Sequence, residues 1–200
     1  MSTDSDREQE EIIRKIEELL KLCTGKDNQG QRWGKFKGDV VCRVVKHYIN
    51  QRLLSSGLKA VGPSVYIAGY KLPWEFDLAI VKAEAKPDLH TNAYREEDIC
   101  SVLEVKAYGV IAGKDEYEEV VKKRIARPFS EVIAAYSHIK PVYLAIRETV
   151  NPVKEGAIRY ADLTRKALKS YPVFILQDAR GSKEIQKGEW QRLIEYINRG

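Results

Sequence analysis

Hydrophobic residues recur with helical spacing in the N-terminal part of the chain. One apolar stripe precedes Gly25 and a second follows Asp39, and a repeat every three to four residues is typical of amphipathic helices. The stripes consist of Ile12, Ile16, Leu19, Leu20 and Cys23, then of Val41, Val44, Val45, Tyr48 and Ile49. The pattern predicts two helices, the second running from Asp39 to about Leu54, with residues 25–38 as a polar, glycine-rich loop.

Beyond Gly57, short runs of β-branched, aromatic and aliphatic residues indicate strands. Residues 64–70 and 76–81 predict a β-hairpin, and residues 99–110 (ICSVLEVKAYGV) predict an interior strand because they are apolar on both faces. Further runs predict strands at 142–146 and 173–177 and helices at 115–138, 160–170 and 187–198. This order predicts an α/β fold, a three-layer sandwich with a mixed central β-sheet flanked by helices.

The composition fits one globular domain. The chain has 200 residues, of which 44% are hydrophobic and 32% charged, as in many single domains. We expect the domain 1–200 to comprise an N-terminal helix with a basic and aromatic loop (1–36), a core (37–178) and a C-terminal helix (179–200). The net charge of +5 favours polyanionic partners.

Other features of the composition argue against membrane and secreted proteins. No stretch approaches the roughly 20 apolar residues that cross a bilayer, and the first residues, MSTDSDREQEE, show no signal segment. The 3 cysteines are far apart, which does not suggest a disulfide framework. We therefore expect a cytoplasmic protein with no membrane partner.

Two charged residues, Glu104 and Lys106, interrupt the apolar strand predicted at residues 99–110. Side chains alternate along a strand, so both project from the same face. Removing ionised groups from water costs several kcal/mol, so such charges need a partner, a metal or a cleft. Asp77 begins the apolar part of the preceding strand, in WEFDLAIV. If the two strands pair, its carboxylate converges with Glu104.

Converging carboxylates favour a divalent cation. Two such groups repel each other unless a cation compensates, and a site rich in oxygen with few protein ligands suits Mg²⁺. A metal with open positions lowers the pKa of bound water and neutralises charge on a phosphodiester, while a neighbouring lysine orients water or stabilises the phosphate. This interpretation predicts phosphodiester hydrolysis. The other interpretation is a solvent-facing salt bridge across two strands, which would stabilise little.

These residues resemble the PD-(D/E)xK nucleases, the restriction-endonuclease-like superfamily. The resemblance rests on Asp77, on Glu104, Val105 and Lys106, and on the order helix, hairpin, motif strand, helix, strand. It implies Mg²⁺-dependent cleavage of DNA, with Mn²⁺ as a substitute, leaving a 5′-phosphate and a 3′-hydroxyl. Asp77, Glu104 and Lys106 are then the catalytic residues, and Asp77, Glu104 and the Val105 carbonyl are the metal ligands.

Two other acids are secondary candidates. Phe76 rather than proline precedes Asp77, whereas Asp88 does follow Pro87. We favour Asp77 because Asp88 lies in a polar stretch that predicts a loop. Asp39 is the nearest match to the acid that many members of the superfamily carry in the preceding helix, although aspartate is also a favoured N-cap residue.

Two basic clusters are candidates for nucleic-acid binding. The first cluster interleaves basic and aromatic residues: Arg32, Trp33, Lys35, Phe36 and Lys37. This pattern is typical of a surface that contacts phosphates and stacks on bases. It is equally typical of a loop whose aromatic side chains pack against the core. The second cluster lies on the predicted helix at 115–138 and consists of Lys122, Lys123, Arg124 and Arg127. It is either a surface that binds a phosphate backbone or a solvated face of the helix.

The sequence thus supports a Mg²⁺-dependent endonuclease acting on DNA. The alternative is a catalytically inactive module of the same fold that binds nucleic acid or a protein partner, and a structural protein with an incidental motif is a third class. A protomer with one site cuts both strands most simply as a homodimer, so we expect dimerisation.

Overall fold

A computed structural model of the chain describes residues 3–22, 31–69, 74–107, 117–147, 160–178 and 184–199. Its α-helices are α1 (Asp4–Leu22), α2 (Gln31–Arg52), α3 (Tyr117–Val121), α4 (Arg127–Ala135), α5 (Tyr160–Ala167) and α6 (Glu189–Asn198). Its strands are β1 (Leu58–Val61), β2 (Tyr66–Ile67), β3 (Leu78–Lys82), β4 (Ala93–Tyr94), β5 (Ile99–Lys106), β6 (Lys140–Arg147), β7 (Val173–Asp178) and β8 (Glu184–Ile185). No helix within these residues is long and apolar enough to cross a membrane.

The central sheet is mixed, with the strand order β1-β3-β5-β6-β7-β8. Strands β5, β6 and β7 are parallel, whereas β3 runs antiparallel to both β1 and β5. The amino-terminal end of β3 therefore lies beside the carboxy-terminal end of β5. This edge of the sheet carries the candidate site.

Helices cover both faces of the sheet, each over its own hydrophobic core. Helices α1, α2 and α6 pack on one face around Leu103 and Val105, and α3, α4 and α5 pack on the other face around Val102 and Ala79. Alternation along β5 sends neighbouring apolar residues to opposite cores. The three-layer α/β sandwich predicted from the sequence is confirmed.

The second helix differs from the prediction. It begins at Gln31, not at Asp39, so residues 31–36 are helical and Asp39 is an interior residue of α2, not its N-cap. Extending a helix that is already anchored costs little, because each added residue gains one hydrogen bond. The core contacts of Val45 and Ile49 anchor α2, and this long-range packing overrides the two glycines that suggested a loop.

The predicted hairpin is also wrong in its pairing. Strand β3 pairs antiparallel with β1, where Ala60 lies opposite Ile80, and with β5, whereas the described residues 64–69 contribute one bridge to it, from Val65 to Phe76. Strand β2 instead pairs in parallel with β4. Pro63, which has no N–H to donate, follows directly after β1 and Gly62, and the ladder stops there.

The helix predicted at 115–138 is segmented. A π-helical turn, Lys122–Ala126, separates α3 from α4, and Pro128 lies in the first turn of α4. Proline offers no N–H to the preceding turn, so the hydrogen-bonding pattern must change ahead of it. The turn leaves Lys122, Lys123 and Arg124 exposed.

Candidate active site

The register of β3 and β5 brings the predicted acids together. Leu78 lies opposite Leu103, and the next antiparallel positions on each strand are Asp77 and Glu104. Alternation places the Glu104 side chain on the same face of β5 as Val102, the face that α3, α4 and α5 cover, and Asp77 lies directly before β3. The strand pairing on which the convergence of Asp77 and Glu104 depended is therefore present.

Direct contacts join the three motif side chains. The Asp77 carboxylate accepts a hydrogen bond from the backbone N–H of Val105, with 2.7 Å between N and Oδ2. The Lys106 ammonium donates to Glu104 and lies 3.4 Å from Asp77 Oδ2. Lys106 thus bridges the two carboxylates at the edge of the sheet.

The site is partly open to solvent. Side-chain exposure is 32% for Asp77, 31% for Lys106 and 19% for Glu104. A surface pair of this kind stabilises the fold little, but the openness leaves room for a ligand. The site therefore holds charged side chains in contact with one another and remains accessible to a ligand from solvent.

The two carboxylates perturb each other. Burial, with the Asp77 charge adding to it, raises the pKa of Glu104 to about 7, against the lowering effect of Lys106. Burial tends to lower the pKa of Lys106, but the Glu104 and Asp77 carboxylates outweigh it and raise that pKa overall. One ammonium beside two ionised carboxylates leaves a net negative charge at the site, so a further cation is electrostatically favoured.

The donor atoms fit Mg²⁺. Protein sites for this ion commonly use one or two carboxylates, with water and substrate phosphate oxygens completing the octahedron, and Asp77 and Glu104 provide two. Within the described residues no group of three His, Cys, Asp or Glu side chains converges as a metal site. The donor set suits a hydrated hard cation and does not suit a zinc site built from side chains alone.

The secondary acid Asp88 lies away from the site. Asp88 is in the loop after β3, where its Oδ1 accepts a hydrogen bond from the backbone N–H of His90 at 2.9 Å. Because β3 and β5 are antiparallel, that loop lies at the opposite edge of the sheet from Glu104. The structure therefore places Asp77, and not Asp88, beside the motif.

Helix α2 passes close to the site. The Cys42 thiol is buried, and burial followed by the charge of Asp77 raises its pKa, with Asp39 and Glu104 contributing and Lys106 opposing. Asp39, one turn before Cys42, is half-buried. It lies within electrostatic range of this thiol but forms no three-acid cluster with Asp77 and Glu104 among the described residues.

The basic residues of α2 are only partly described. Lys35 is exposed and Lys37 half-buried, both within the helix and not in a loop. The side chains of Arg32 and Trp33 lie outside the described part of the structure. The prediction that Arg32, Lys35 and Lys37 bind nucleic acid remains a prediction.

The second basic cluster divides into two kinds of residue. Lys122 donates to Glu118 over 2.7 Å and Arg127 donates to Glu131 over 2.9 Å. Lys123 and Arg124 are exposed and have no ion pair with any described residue. Within the described part of the chain, two of the four cations therefore have no carboxylate partner.

This cluster is linked to the site through α4. The Trp74 indole N–H donates to Glu131 over 2.7 Å, and Trp74 precedes Asp77 by three residues. Arg127 contacts the same carboxylate. The basic segment thus flanks the chain that carries Asp77.

Sequence reasoning missed Glu75. Its carboxylate accepts hydrogen bonds from the Ser64 and Tyr66 hydroxyls, and its charge helps to raise the pKa of Glu104, after burial and Asp77. The available signal was the position, because Glu75 is a second acid only two residues before Asp77.

Two solved structures share the overall architecture. NucC of P. aeruginosa ATCC27853, in its cAAA-bound form, is 12% identical with a TM-score of 0.58, over 98% of this chain and 91% of that chain. NucC of E. coli MS115-1, also cAAA-bound, is 14% identical with a TM-score of 0.57, over 94% of this chain and 86% of that chain. No family model and no curated protein matches the sequence. The chain therefore has the restriction-endonuclease-like fold, as its resemblance to the PD-(D/E)xK nucleases predicted.

Proposed function

We propose that this protein is a metal-dependent endonuclease that hydrolyses phosphodiester bonds in DNA. The observation that carries the proposal is the contact of Asp77, Glu104 and Lys106 at one open edge of the sheet. The fold supports it, since the restriction-endonuclease-like architecture shared with the two NucC structures is the one that the resemblance to the PD-(D/E)xK nucleases implies. We expect the protein to act in the cytoplasm, as a homodimer when it cuts both strands.

Asp77 and Glu104 would hold Mg²⁺, or Mn²⁺ in its place. The Val105 N–H points at Asp77, and in an antiparallel ladder the N–H and C=O of one residue face the same partner strand. This favours the Val105 carbonyl as a further ligand. When bound, the ion would supply an acidified water and neutralise charge on the phosphate.

Lys106 would act on the reacting groups. Its ammonium, held by Glu104, is placed to orient the attacking water or to donate to a phosphate oxygen as negative charge accumulates there. In the reaction, water oxygen forms a bond to phosphorus, the bond from phosphorus to the 3′ oxygen breaks, and that oxygen takes a proton. The products are a 5′-phosphate and a 3′-hydroxyl.

Plasmid cleavage tests the proposal. We expect the purified protein to nick or linearise supercoiled DNA in Mg²⁺ or Mn²⁺ and to lose this activity in EDTA, because without the cation the two carboxylates repel the phosphate and no water is activated. Conversion of plasmid forms on a gel measures the result. Equal conversion in EDTA, or none in either metal, would contradict the proposal.

One observation favours the alternative, a module that binds nucleic acid without cutting. Lys106 already partly neutralises Asp77 and Glu104, so the charges have a protein partner even when no metal is present. Such a module would bind DNA in a salt-dependent manner that is indifferent to Mg²⁺. Binding without cleavage in the plasmid assay would support this alternative.

Lys123 and Arg124 should contribute more to DNA binding than Lys122 and Arg127. Each unpaired cation that contacts a phosphate releases condensed counterions, so the slope of log affinity against log salt should fall by about 1 for each one removed. We expect this decrease for Lys123→Ala and for Arg124→Ala. Fluorescence anisotropy at several salt concentrations measures it.

Lys122→Ala is the matched control, because Glu118 already holds that ammonium. Its salt slope should stay close to that of the wild-type protein. A larger decrease for Lys122→Ala than for Lys123→Ala would contradict the assignment.

A further inference from the structure

Glu75 forms a compact polar cluster next to Asp77. Its Oε2 accepts a hydrogen bond from the Tyr66 hydroxyl at 2.9 Å, and its Oε1 accepts one from Ser64. Glu75 itself is exposed, so hydrophobic packing does not explain why its carboxylate collects these partners.

The turn that Glu75 holds touches the backbone of Asp77. A Cβ added to Gly62 would lie 2.6 Å from the Asp77 carbonyl oxygen, so the two backbones are in close contact. Between them, Val65 and Phe76 exchange both backbone hydrogen bonds, at 2.8 and 2.9 Å. Residues 62–66, called the clamp turn below, therefore form one wall of the segment that carries Asp77.

The clamp turn is held from several directions. The Lys46 ammonium on α2 donates to the Gly62 carbonyl over 2.7 Å, and the Asn92 side chain donates to the Ser64 carbonyl over 2.6 Å. Ser64 has a φ of 62°, a value that a residue other than glycine keeps only when its surroundings enforce it. Within this network, Glu75 is the residue that lies in the same chain segment as Asp77, two positions before it.

We propose that Glu75 is a positioning residue that locks the clamp turn against the Asp77 segment and so sets the Asp77 carboxylate against the Val105 N–H. Two points support a directed effect. Glu75 and Asp77 are separated by one residue, Phe76, and Phe76 is fixed by its bridge to Val65. Displacing the clamp turn therefore shifts Asp77 before any other motif residue. The proposal deepens the proposed nuclease function and rests on it for its catalytic consequence.

Amide hydrogen exchange of Val105, followed by NMR on the full chain, tests the proposal without requiring activity. The Val105 amide is protected by the Asp77 carboxylate, so a misplaced Asp77 exposes it. In Glu75→Ala we expect exchange at Val105 to accelerate about tenfold, the equivalent of one hydrogen bond. Exchange at Leu144, in the neighbouring strand β6, should not change. DNA cleavage should fall by a similar factor, with the Mn²⁺ concentration needed for half-maximal rate raised.

Two further variants keep the test decisive. Tyr66→Phe removes one donor to the same carboxylate and should change Val105 exchange in the same direction. Glu195→Ala removes a surface carboxylate on α6 that also has two partners, Gln191 and Arg199, and should change neither exchange nor cleavage.

Each outcome has a defined meaning. Unchanged exchange at Val105 in Glu75→Ala overturns the positioning role, and so does an equal acceleration at Val105 and Leu144, which indicates general destabilisation. If the wild-type protein does not cleave DNA but Val105 responds selectively, the nuclease proposal fails while the positioning role stands. If the wild-type protein cleaves and Glu75→Ala cleaves equally well, the catalytic consequence is wrong.

Discussion

Asp77→Asn is expected to reduce the DNA cleavage rate about 10³-fold, the scale of losing a principal electrostatic group in a catalytic site. Asparagine has nearly the same size, and its oxygen can still accept the hydrogen bond that Val105 donates to Asp77. The substitution therefore removes charge while leaving the strand contact available. A neutral amide is a poor Mg²⁺ ligand beside one remaining carboxylate, so the affinity for Mn²⁺ should fall as well.

Asp88→Asn is the matched control for that experiment. Asp88 also accepts a backbone hydrogen bond, from His90, but it lies at the opposite edge of the sheet. We expect wild-type cleavage and wild-type metal affinity. Single-turnover cleavage and Mn²⁺ titration calorimetry on both variants measure the contrast, and equal losses in the two variants would contradict the assignment of Asp77.

Lys106→Ala is expected to separate metal binding from catalysis. The cleavage rate should fall about 10²–10³-fold because a donor to the reacting water or phosphate is lost. The Mn²⁺ affinity should stay the same or increase, because the ammonium that partly neutralises Asp77 and Glu104 no longer competes with the cation. Calorimetry and cleavage at saturating metal measure the two effects independently.

Lys86→Ala provides the control for Lys106. Lys86 belongs to the other acid-x-lysine triplet, with Glu84, and is exposed in the loop after β3. It should behave as the wild-type protein in both measurements. If Lys106→Ala lost metal affinity in parallel with cleavage, the ammonium would be organising the carboxylates and not acting on the substrate.

Local patterns were sufficient for much of the fold and for part of the site. The shared face of Glu104 and Lys106 follows from alternation within one strand, and alternation needs no tertiary information. The apolar runs likewise indicated β5, β6 and β7 and the helices that cover them. These features depend on residues close together in the chain, whose geometry the backbone dictates.

Local patterns did not predict which strands pair or where helix α2 begins. Strand β3 pairs with β1 and β5 and not with the run that begins at Ser64, because several strands of similar composition compete and only the assembled core selects among them. Helix α2 starts eight residues before the Asp39 position that the stripe suggested, since packing of its later turns stabilises a glycine-containing first part. Asp39 is therefore an interior residue of α2 and not its N-cap.

The sequence by itself determined that an acid and a lysine share one face of a buried strand, because strand geometry repeats every two residues. The sequence favoured Asp77 over Asp88 as the second acid, but only the tertiary structure brought that acid into contact with the strand. Asp77 meets Glu104 through the register of β3 against β5. Glu75 is tied to residues 64–66, which the sequence had assigned to one strand of a hairpin. Register and turn packing are set by contacts between residues distant in the chain, whose energies no local pattern contains.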